Sequence, residues 1–184
     1  MSAGAAKALT SSGRQSHFEL FGLAPAFGLD EEVLEKAYRE IQSRVHPDRF
    51  AHAGDAERRA SLQWTTRVNE AYRTLKDPVQ RGKHLLELHG VDVAFETNTQ
   101  MPTDFLMQQL ELREELESAV KKKDASHLDR LHAALSGSRK ALAAKIGEAI
   151  DSKKDYSAAA ELVRQLMFLD KLDAEIDAAY EEIE

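Results

Sequence analysis

A single proline between two long segments of helical character constrains the fold of this chain more than any other feature. Pro47 lacks an amide hydrogen and disfavours helical geometry at His46, so a helix arriving from the N-terminal side stops there. Apolar residues recur at the spacing of one helix face on both sides of this break: Leu34, Tyr38, Ile41 and Val45 before it, and Leu62, Val68, Ala71, Tyr72 and Leu75 after it. The pattern predicts two helices that face each other, with His46, Pro47 and Asp48 at the tip between them.

The residues around this turn resemble the J-domain family of co-chaperones. Residues 38–50 (YREIQSRVHPDRF) are followed by residues 68–75 (VNEAYRTL) and then by Asp77 and Pro78. The tripeptide alone is a weak signal, but its place between an amphipathic helix and a helix that ends in Asp-Pro makes the match specific. In that family, the His-Pro-Asp tip stimulates ATP hydrolysis by a DnaK-type chaperone, and a basic face on the preceding helix docks on that chaperone.

The resemblance implies a set of residues that bind the chaperone ATPase. They are His46, Pro47 and Asp48 at the tip, together with the basic residues Arg39, Arg44 and Arg49. Arg49 replaces the more usual lysine but keeps the charge. Glu35 and Glu40 interrupt the basic face, and without the tip beside it such a face is ordinary solvated helix surface with pairing between residues four apart.

The composition bounds the fold class and excludes several functions. Only four prolines and nine glycines occur in 184 residues, and the abundant Ala, Leu, Glu and Lys favour helix over sheet. The chain has no cysteine, which excludes disulfides, thiolate catalysis and cysteine ligation of zinc or an iron–sulfur cluster. A net charge of -7 without a sustained basic stripe disfavours nucleic-acid binding. No apolar run approaches the roughly 20 residues that cross a bilayer, so we predict a soluble protein with no membrane partner.

The predicted architecture is all-α, with an N-terminal J-domain followed by a C-terminal three-helix bundle. The J-domain is an antiparallel helix pair with a His-Pro-Asp loop, and the bundle helices are expected at about 104–123, 125–151 and 156–183, where Lys, Asp and Ser separate the periodic segments. The expected division is a disordered tail at 1–15, the J-domain at 16–90, a linker at 91–103 and the bundle at 104–184. We expect Asp30, Asp77, Asp124 or Ser126, and Asp155 or Ser157 to cap helices.

The first turns of the helix after residue 104 carry more apolar surface than a bundle needs. At about 100° per residue, one group of apolar residues clusters within about 60° of a single direction, as a core stripe does: Phe105, Leu112, Leu116, Ala119 and Val120. Leu106, Met107 and Leu110 fall about 90–170° from the centre of that stripe, and Glu111 and Glu114 accompany them. Contact with the first domain is one interpretation of this edge. We favour the other, which is partner binding.

Three further motifs closely resemble the HscB family, the specialised J-domain co-chaperones of iron–sulfur cluster assembly. They are residues 85–90 (LLELHG), 105–116 (FLMQQLELREEL) and 163–172 (VRQLMFLDKL). In that family, the C-terminal bundle binds the IscU-type scaffold protein that carries the nascent cluster and delivers it to the chaperone ATPase HscA. By matched position, the resemblance implies a scaffold surface made of Leu106, Met107, Leu110, Glu111, Glu114 and Phe168. At one further position of this surface, the family has an acidic residue and this chain has Ser118. Any cluster belongs to a partner, and no cofactor is expected.

Two other functions compete with this interpretation. An enzyme could use His46 and Asp48 as a base and its orienting group, or as metal ligands with His52. The remaining histidine pairs, 84/89 and 127/132, are five residues apart rather than the four that place two ligands on one helix face, so we predict no enzyme. A general J-domain co-chaperone for unfolded clients is the second alternative. Residues 1–15 lack the apolar core of a secretory signal and are poor in arginine, which favours the bacterial cytoplasm over the mitochondrial matrix.

Overall fold

The computed structural model describes residues 15–93 and 101–183, and these residues form helices joined by turns and loops, with no strand among them. The chain divides into two compact units, one ending at Leu88 and the other beginning at His89. The first contains α1 (His17–Leu20), α2 (Glu31–Val45), a 3-10 turn (Pro47–Phe50), α3 (Asp55–Lys76) and α4 (Pro78–Leu88). The second contains α5 (Thr103–Lys122), α6 (Ala125–Gly147), a π-helical segment (Glu148–Lys153) and α7 (Tyr156–Ile183). The predicted all-α fold is confirmed.

Residues 1–14 of the predicted tail at 1–15 and most of the predicted linker at 91–103 lie outside the described residues. The domain bounds assigned from the sequence therefore stay a prediction. No helix in the described part of the chain combines the length and the apolar character needed to traverse a bilayer.

Four aspartates begin helices where the sequence predicts them to. Each accepts a hydrogen bond from a backbone N–H of the first turn, which would otherwise have no partner within the helix. Through Oδ1, Asp30 accepts from Glu32 (3.0 Å), Asp77 from Gln80 (2.7 Å), Asp124 from His127 (3.0 Å) and Asp155 from Ala158 (3.0 Å). These caps fix the starts of α2, α4, α6 and α7, and thereby the lengths of the loops before them.

The core of the N-terminal unit lies between α2, α3 and α4, with α1 packed beneath them. Its largest fully buried side chains are Phe18, Leu34, Val68, Leu75, Leu85 and Leu86. Half-buried Tyr38 of α2 stacks on Tyr72 of α3 with ring centroids 4.1 Å apart, and its hydroxyl donates to Asn69 Oδ1 at 2.9 Å. The predicted pairing of the two helices across the turn is therefore present.

The prediction for one residue of the α3 face, Leu62, is wrong. Leu62 is 55% exposed, whereas its neighbour Ser61 is only 1% exposed. Leu62 precedes buried Ala71 by nine residues, which at 100° per residue places it on about the opposite side of the helix. Ser61 precedes Val68 by seven residues, or about two turns, and so occupies the buried position. The polar side chain of Ser61 therefore occupies the place on the buried face that the apolar pattern had assigned to Leu62.

The bundle of the C-terminal unit runs up, down and up. Contacts between α6 and α7 pair rising residue numbers on one helix with falling numbers on the other: Asp129 accepts from the Tyr180 hydroxyl (2.7 Å), and Arg139 pairs with Asp170 (2.6 Å). Helix α5 turns into α6 through Lys123, whose φ of 52° is left-handed, and Asp124. The fully buried side chains include Leu128, Leu135, Ile146, Val163, Leu172 and Ile176. The predicted three-helix bundle is confirmed.

Two stacked imidazoles join α1 to α4 in the N-terminal unit. The ring centroids of His17 and His84 are 4.3 Å apart, and His84 Nε2 accepts a hydrogen bond from the His17 backbone N–H at 3.2 Å. Burial lowers the pKa of both imidazoles below the ordinary 6.5, and Arg67 also lowers that of His17 while Glu70 and Glu87 oppose the shift. Since protonation of Nε2 removes the acceptor, the folded unit favours two neutral rings.

This pair predicts that the N-terminal unit loses stability as the pH falls below about 6.5. There the unfolded chain binds protons that the folded unit excludes, so the free energy of unfolding decreases. Urea denaturation between pH 7.5 and 5.5, followed by the fluorescence of Trp64, the single tryptophan, measures the effect. His84→Gln retains an acceptor without an imidazole and should flatten the pH dependence. His52→Gln, which changes an exposed histidine, should preserve it; equal slopes in all three proteins would contradict the assignment.

Candidate functional site

The end of α2 is shaped by the backbone donors that it lacks. Because Pro47 has no amide hydrogen, the Ser43 carbonyl has no donor four residues on, and Arg49 Nη1 donates to it instead at 2.9 Å. The Arg49 N–H turns to the His46 carbonyl (3.1 Å), so the Val45 carbonyl also loses its helical donor. Two side chains of α3 replace it, with Ser61 Oγ donating at 2.6 Å and Thr65 Oγ1 at 3.2 Å. The chain therefore leaves the helix with these carbonyls satisfied.

Beyond this point, His46 and Asp48 are exposed at the tip, with half-buried Pro47 between them. His46 has φ of -56° and ψ of 131°, which ends the helix, and residues Pro47–Phe50 make one 3-10 turn. His46 Nδ1 accepts from the Asp48 backbone N–H at 3.3 Å and lies 3.6 Å from Asp48 Oδ2. The Asp48 side chain is 89% exposed. The tip thus presents a carboxylate and an imidazole to solvent beside a rigid ring, with the spacing that the tripeptide predicts.

The three predicted arginines lie before and after this tip in the sequence and do not form one narrow stripe. Arg39 and Arg44 are exposed on α2 and lie about 140° apart around the helix, because five residues separate them. Arg39 forms an ion pair with exposed Glu35, four residues earlier. Arg49 is exposed as well, although its guanidinium also closes the helix end at Ser43. The basic surface is therefore broad and partly neutralised, and Arg49 has a structural contact that the sequence did not indicate.

The second candidate site is an apolar patch at the start of α5, defined by Leu106, Met107 and Leu110. These side chains are 45%, 52% and 53% exposed. Glu111 and Glu114, both exposed, lie on the next turn of the same helix. The other large apolar side chains that are exposed in the described residues, Val33, Leu62 and Leu88, lie far apart in sequence from this patch and from one another. Adjacent exposed apolar side chains with an acidic border are typical of a surface that binds a partner.

Phe168, the remaining predicted scaffold residue, reaches this end of α5 from α7. Its ring packs edge to face on Phe105, with centroids 6.3 Å apart and planes at 76°, and Lys171 Nζ lies 5.8 Å from the ring centre. Phe105 is in turn the direct neighbour of Leu106 in α5. The structure therefore brings Phe168, more than 50 residues away in sequence, to the same end of the bundle as the apolar patch. Ser118 is half-buried and lies two turns beyond Leu110.

Sequence reasoning missed three polar side chains that are withdrawn from solvent near these sites: Ser61 and Gln109 are buried, and Thr65 is half-buried. The apolar pattern of α3 does not include Ser61 and Thr65, because both side chains are polar. Gln109 is buried in α5 although it is polar, and its Oε1 has no hydrogen-bond partner among the described residues. It precedes Leu116 by seven residues, so helical spacing alone was enough to place it on the core stripe. Among the described residues, no three His, Asp or Glu side chains are grouped so that they could hold a metal ion.

Comparison with known proteins defines the class and then the family. A family model described as the DnaJ domain matches residues 16–84, and one described as the HSCB C-terminal oligomerisation domain matches residues 101–177. The N-terminal helix pair with its His-Pro-Asp tip is therefore a J-domain. A co-chaperone protein HscB homolog from Burkholderia thailandensis is 53% identical over 171 residues, which cover 93% of this chain and 97% of that protein. The chain belongs to the HscB family of co-chaperones.

Two solved structures of this family are similar to the chain over most of its length. Chaperone HscB from Vibrio cholerae is 34% identical, with a TM-score of 0.80, and the match covers 92% of this chain and all (100%) of that one. Human co-chaperone protein HscB is 26% identical, with a TM-score of 0.85, and the match covers 91% of this chain and 83% of that one. The fold is thus shared between bacterial and human proteins at low sequence identity.

Proposed function

We propose that this protein binds an IscU-type iron–sulfur cluster scaffold, delivers it to a specialised DnaK-type chaperone of the HscA kind, and stimulates the ATPase of that chaperone. The observation that carries the proposal is the exposed His-Pro-Asp tip at the end of α2, in a chain of the HscB family. The protein acts as a regulator and not as an enzyme, and the cluster stays with the scaffold because this chain has no cysteine to ligate it. It works in the bacterial cytoplasm, as its similarity to bacterial HscB homologues supports.

The two partners bind to different parts of the chain. The J-domain, which we place at residues 16–90, contacts the ATPase through the tip and through Arg39, Arg44 and Arg49. The bundle, which we place at 104–184 after a linker at 91–103, binds the scaffold through one surface: Leu106, Met107, Leu110, Glu111, Glu114 and Phe168. The exposure of the apolar patch supports this division, because burying three half-exposed apolar side chains favours association. Its acidic border adds selectivity for a partner of opposite charge.

A general co-chaperone for unfolded clients is the alternative function. It requires a surface that accepts many extended apolar segments, whereas the patch here occupies two turns of one rigid helix beside a packed phenylalanine pair. Binding to denatured model proteins as tightly as to a folded scaffold would favour this alternative.

His46→Gln should reduce stimulation of the partner ATPase to the basal rate. The side chain is exposed and lies beyond the core, so helix content and scaffold binding should be unchanged. Steady-state ATP hydrolysis by a DnaK-type chaperone of the HscA kind, with and without the co-chaperone, measures the effect. His52→Gln makes the same replacement at an exposed residue of the same loop and should stimulate like the wild type. A His46→Gln protein that stimulates normally would show that the tip is not the activating element.

Replacement of Leu106 and Leu110 by alanine should weaken scaffold binding strongly while leaving the bundle intact. Each anchor buried in an interface contributes about 1–3 kcal/mol, so the double change corresponds to a loss of about thirtyfold or more in affinity. Calorimetric titration with an IscU-type scaffold measures the affinity, and urea denaturation measures stability. Leu116→Ala, in the same helix but buried, should instead destabilise the bundle by about 2–5 kcal/mol. If the double variant is as unstable as Leu116→Ala, these side chains belong to the core.

The two contacts should also differ in their response to salt. Between Lys36 and Lys83 there are eleven Lys/Arg against six Asp/Glu, a balance of +5, whereas residues 104–184 carry twelve against eighteen, a balance of -6. Exposed charges are screened beyond roughly 10 Å at 0.1 M salt and apolar burial is not, so the ATPase contact should weaken more steeply with sodium chloride.

Arginine variants assign this salt dependence to a surface. Arg39→Ala and Arg44→Ala should flatten the salt dependence of the ATPase contact only, and Lys140→Ala, at an exposed residue of α6, should change neither curve. Parallel loss of both affinities with salt, or weaker scaffold binding in the arginine variants, would contradict a basic docking helix separate from an apolar delivery surface.

A further inference from the structure

We propose that Ser61 and Thr65 of α3 are positioning residues for ATPase stimulation, because their hydroxyls hold the Val45 carbonyl and so fix the direction in which the His-Pro-Asp tip leaves α2. The inference rests on the proposed function and assigns a cause to the orientation of its activating element. Neither side chain belongs to the His-Pro-Asp tripeptide or to the basic residues of the predicted docking surface.

The Val45 carbonyl needs a donor from outside its own helix. Its helical partner is the Arg49 N–H, which the 3-10 turn directs to His46 instead. Val45 is buried, so water cannot readily take the place of the missing donor. A buried carbonyl that is left without a partner costs about 1–3 kcal/mol. The two hydroxyls of α3 therefore satisfy a need that Pro47 creates.

The hydroxyls of Ser61 and Thr65 lie on a rigid support. Ser61 and Thr65 are one helical turn apart on one face of α3, and both donate to the same oxygen, at 2.6 and 3.2 Å. The same face continues to Val68, which is fully buried. Ser61 is itself buried, so its hydroxyl is withdrawn from solvent. The last residue of α2 before the tip is thus fastened to the core of the J-domain.

The other hydrogen bonds described at the tip are local and exposed. Arg49 to Ser43 and the Asp48 N–H to His46 Nδ1 connect residues no more than six apart, and both are exposed. Such bonds hold the turn together but do not orient it relative to the rest of the unit. Loss of the buried link should therefore let the tip sample several directions, and only a fraction of the docked complexes would be active.

Titration of the ATPase of the HscA-type chaperone with full-length variants tests the inference. Ser61→Ala combined with Thr65→Val removes both hydroxyls and should lower maximal stimulation at least fivefold, with a half-saturating concentration within twofold of the wild type, because the docking arginines are untouched. Thr65→Ser, which keeps a hydroxyl, should stimulate like the wild type. Thr66→Val is the matched control, since the Thr66 hydroxyl donates to the Leu62 carbonyl of its own helix at 3.0 Å.

Scaffold binding and Trp64 fluorescence, measured on the same samples, report whether each variant is folded. If the double variant does not fold, Ser61→Ala alone decides the question, because it removes the shorter and buried hydrogen bond to the Val45 carbonyl, and alanine favours helix. If a folded variant gives the same maximal stimulation as the wild type, or changes only the half-saturating concentration, the inference is overturned while the proposed function stands. Absence of stimulation by the wild type and by Thr66→Val would overturn both.

Discussion

The missing amide hydrogen of Pro47 is the constraint on which the N-terminal unit depends. Without it, α2 cannot continue, and the carbonyls of Ser43 and Val45 lose their helical donors. The structure answers with a guanidinium from the turn itself and with two hydroxyls from the facing helix. His46 and Asp48 are exposed at the point where these side chains replace the backbone donors and the helix ends. A covalent property of one residue therefore produces both the turn and its exposed tip.

The two candidate sites are exposed for different physical reasons. At the tip, polar side chains are exposed because the helix ends at His46 and a hydrogen-bonded 3-10 turn follows it. On α5, apolar side chains are left outside because the core stripe of that helix already faces the bundle through Leu116 and Ala119. The first surface suits a contact steered by charge, and the second suits one driven by apolar burial. This difference supports two separate partners.

Much of the fold was predictable because the signals are local. The caps at Asp30, Asp77, Asp124 and Asp155 depend on one side chain and the next few amides, so the sequence predicted the starts of four helices. Helical periodicity predicted the buried faces of α2 and α3 apart from Leu62. That error has a simple cause: apolar character was taken as a sign of burial, although the angular position of Leu62 placed it on the outer face and gave the inner position to Ser61.

The sequence by itself determined the position of the turn, the identity of its exposed tip and the excess apolar edge of α5, because each follows from residue type and spacing within one segment. Tertiary structure alone decided what depends on the meeting of distant segments. Examples are the stacking of His17 on His84, the approach of Phe168 to Phe105, and the capture of the Val45 carbonyl by Ser61 and Thr65. The physical reason is that a hydroxyl or an imidazole carries no directional signal in sequence, and its role is set only when packing places a partner within about 3 Å.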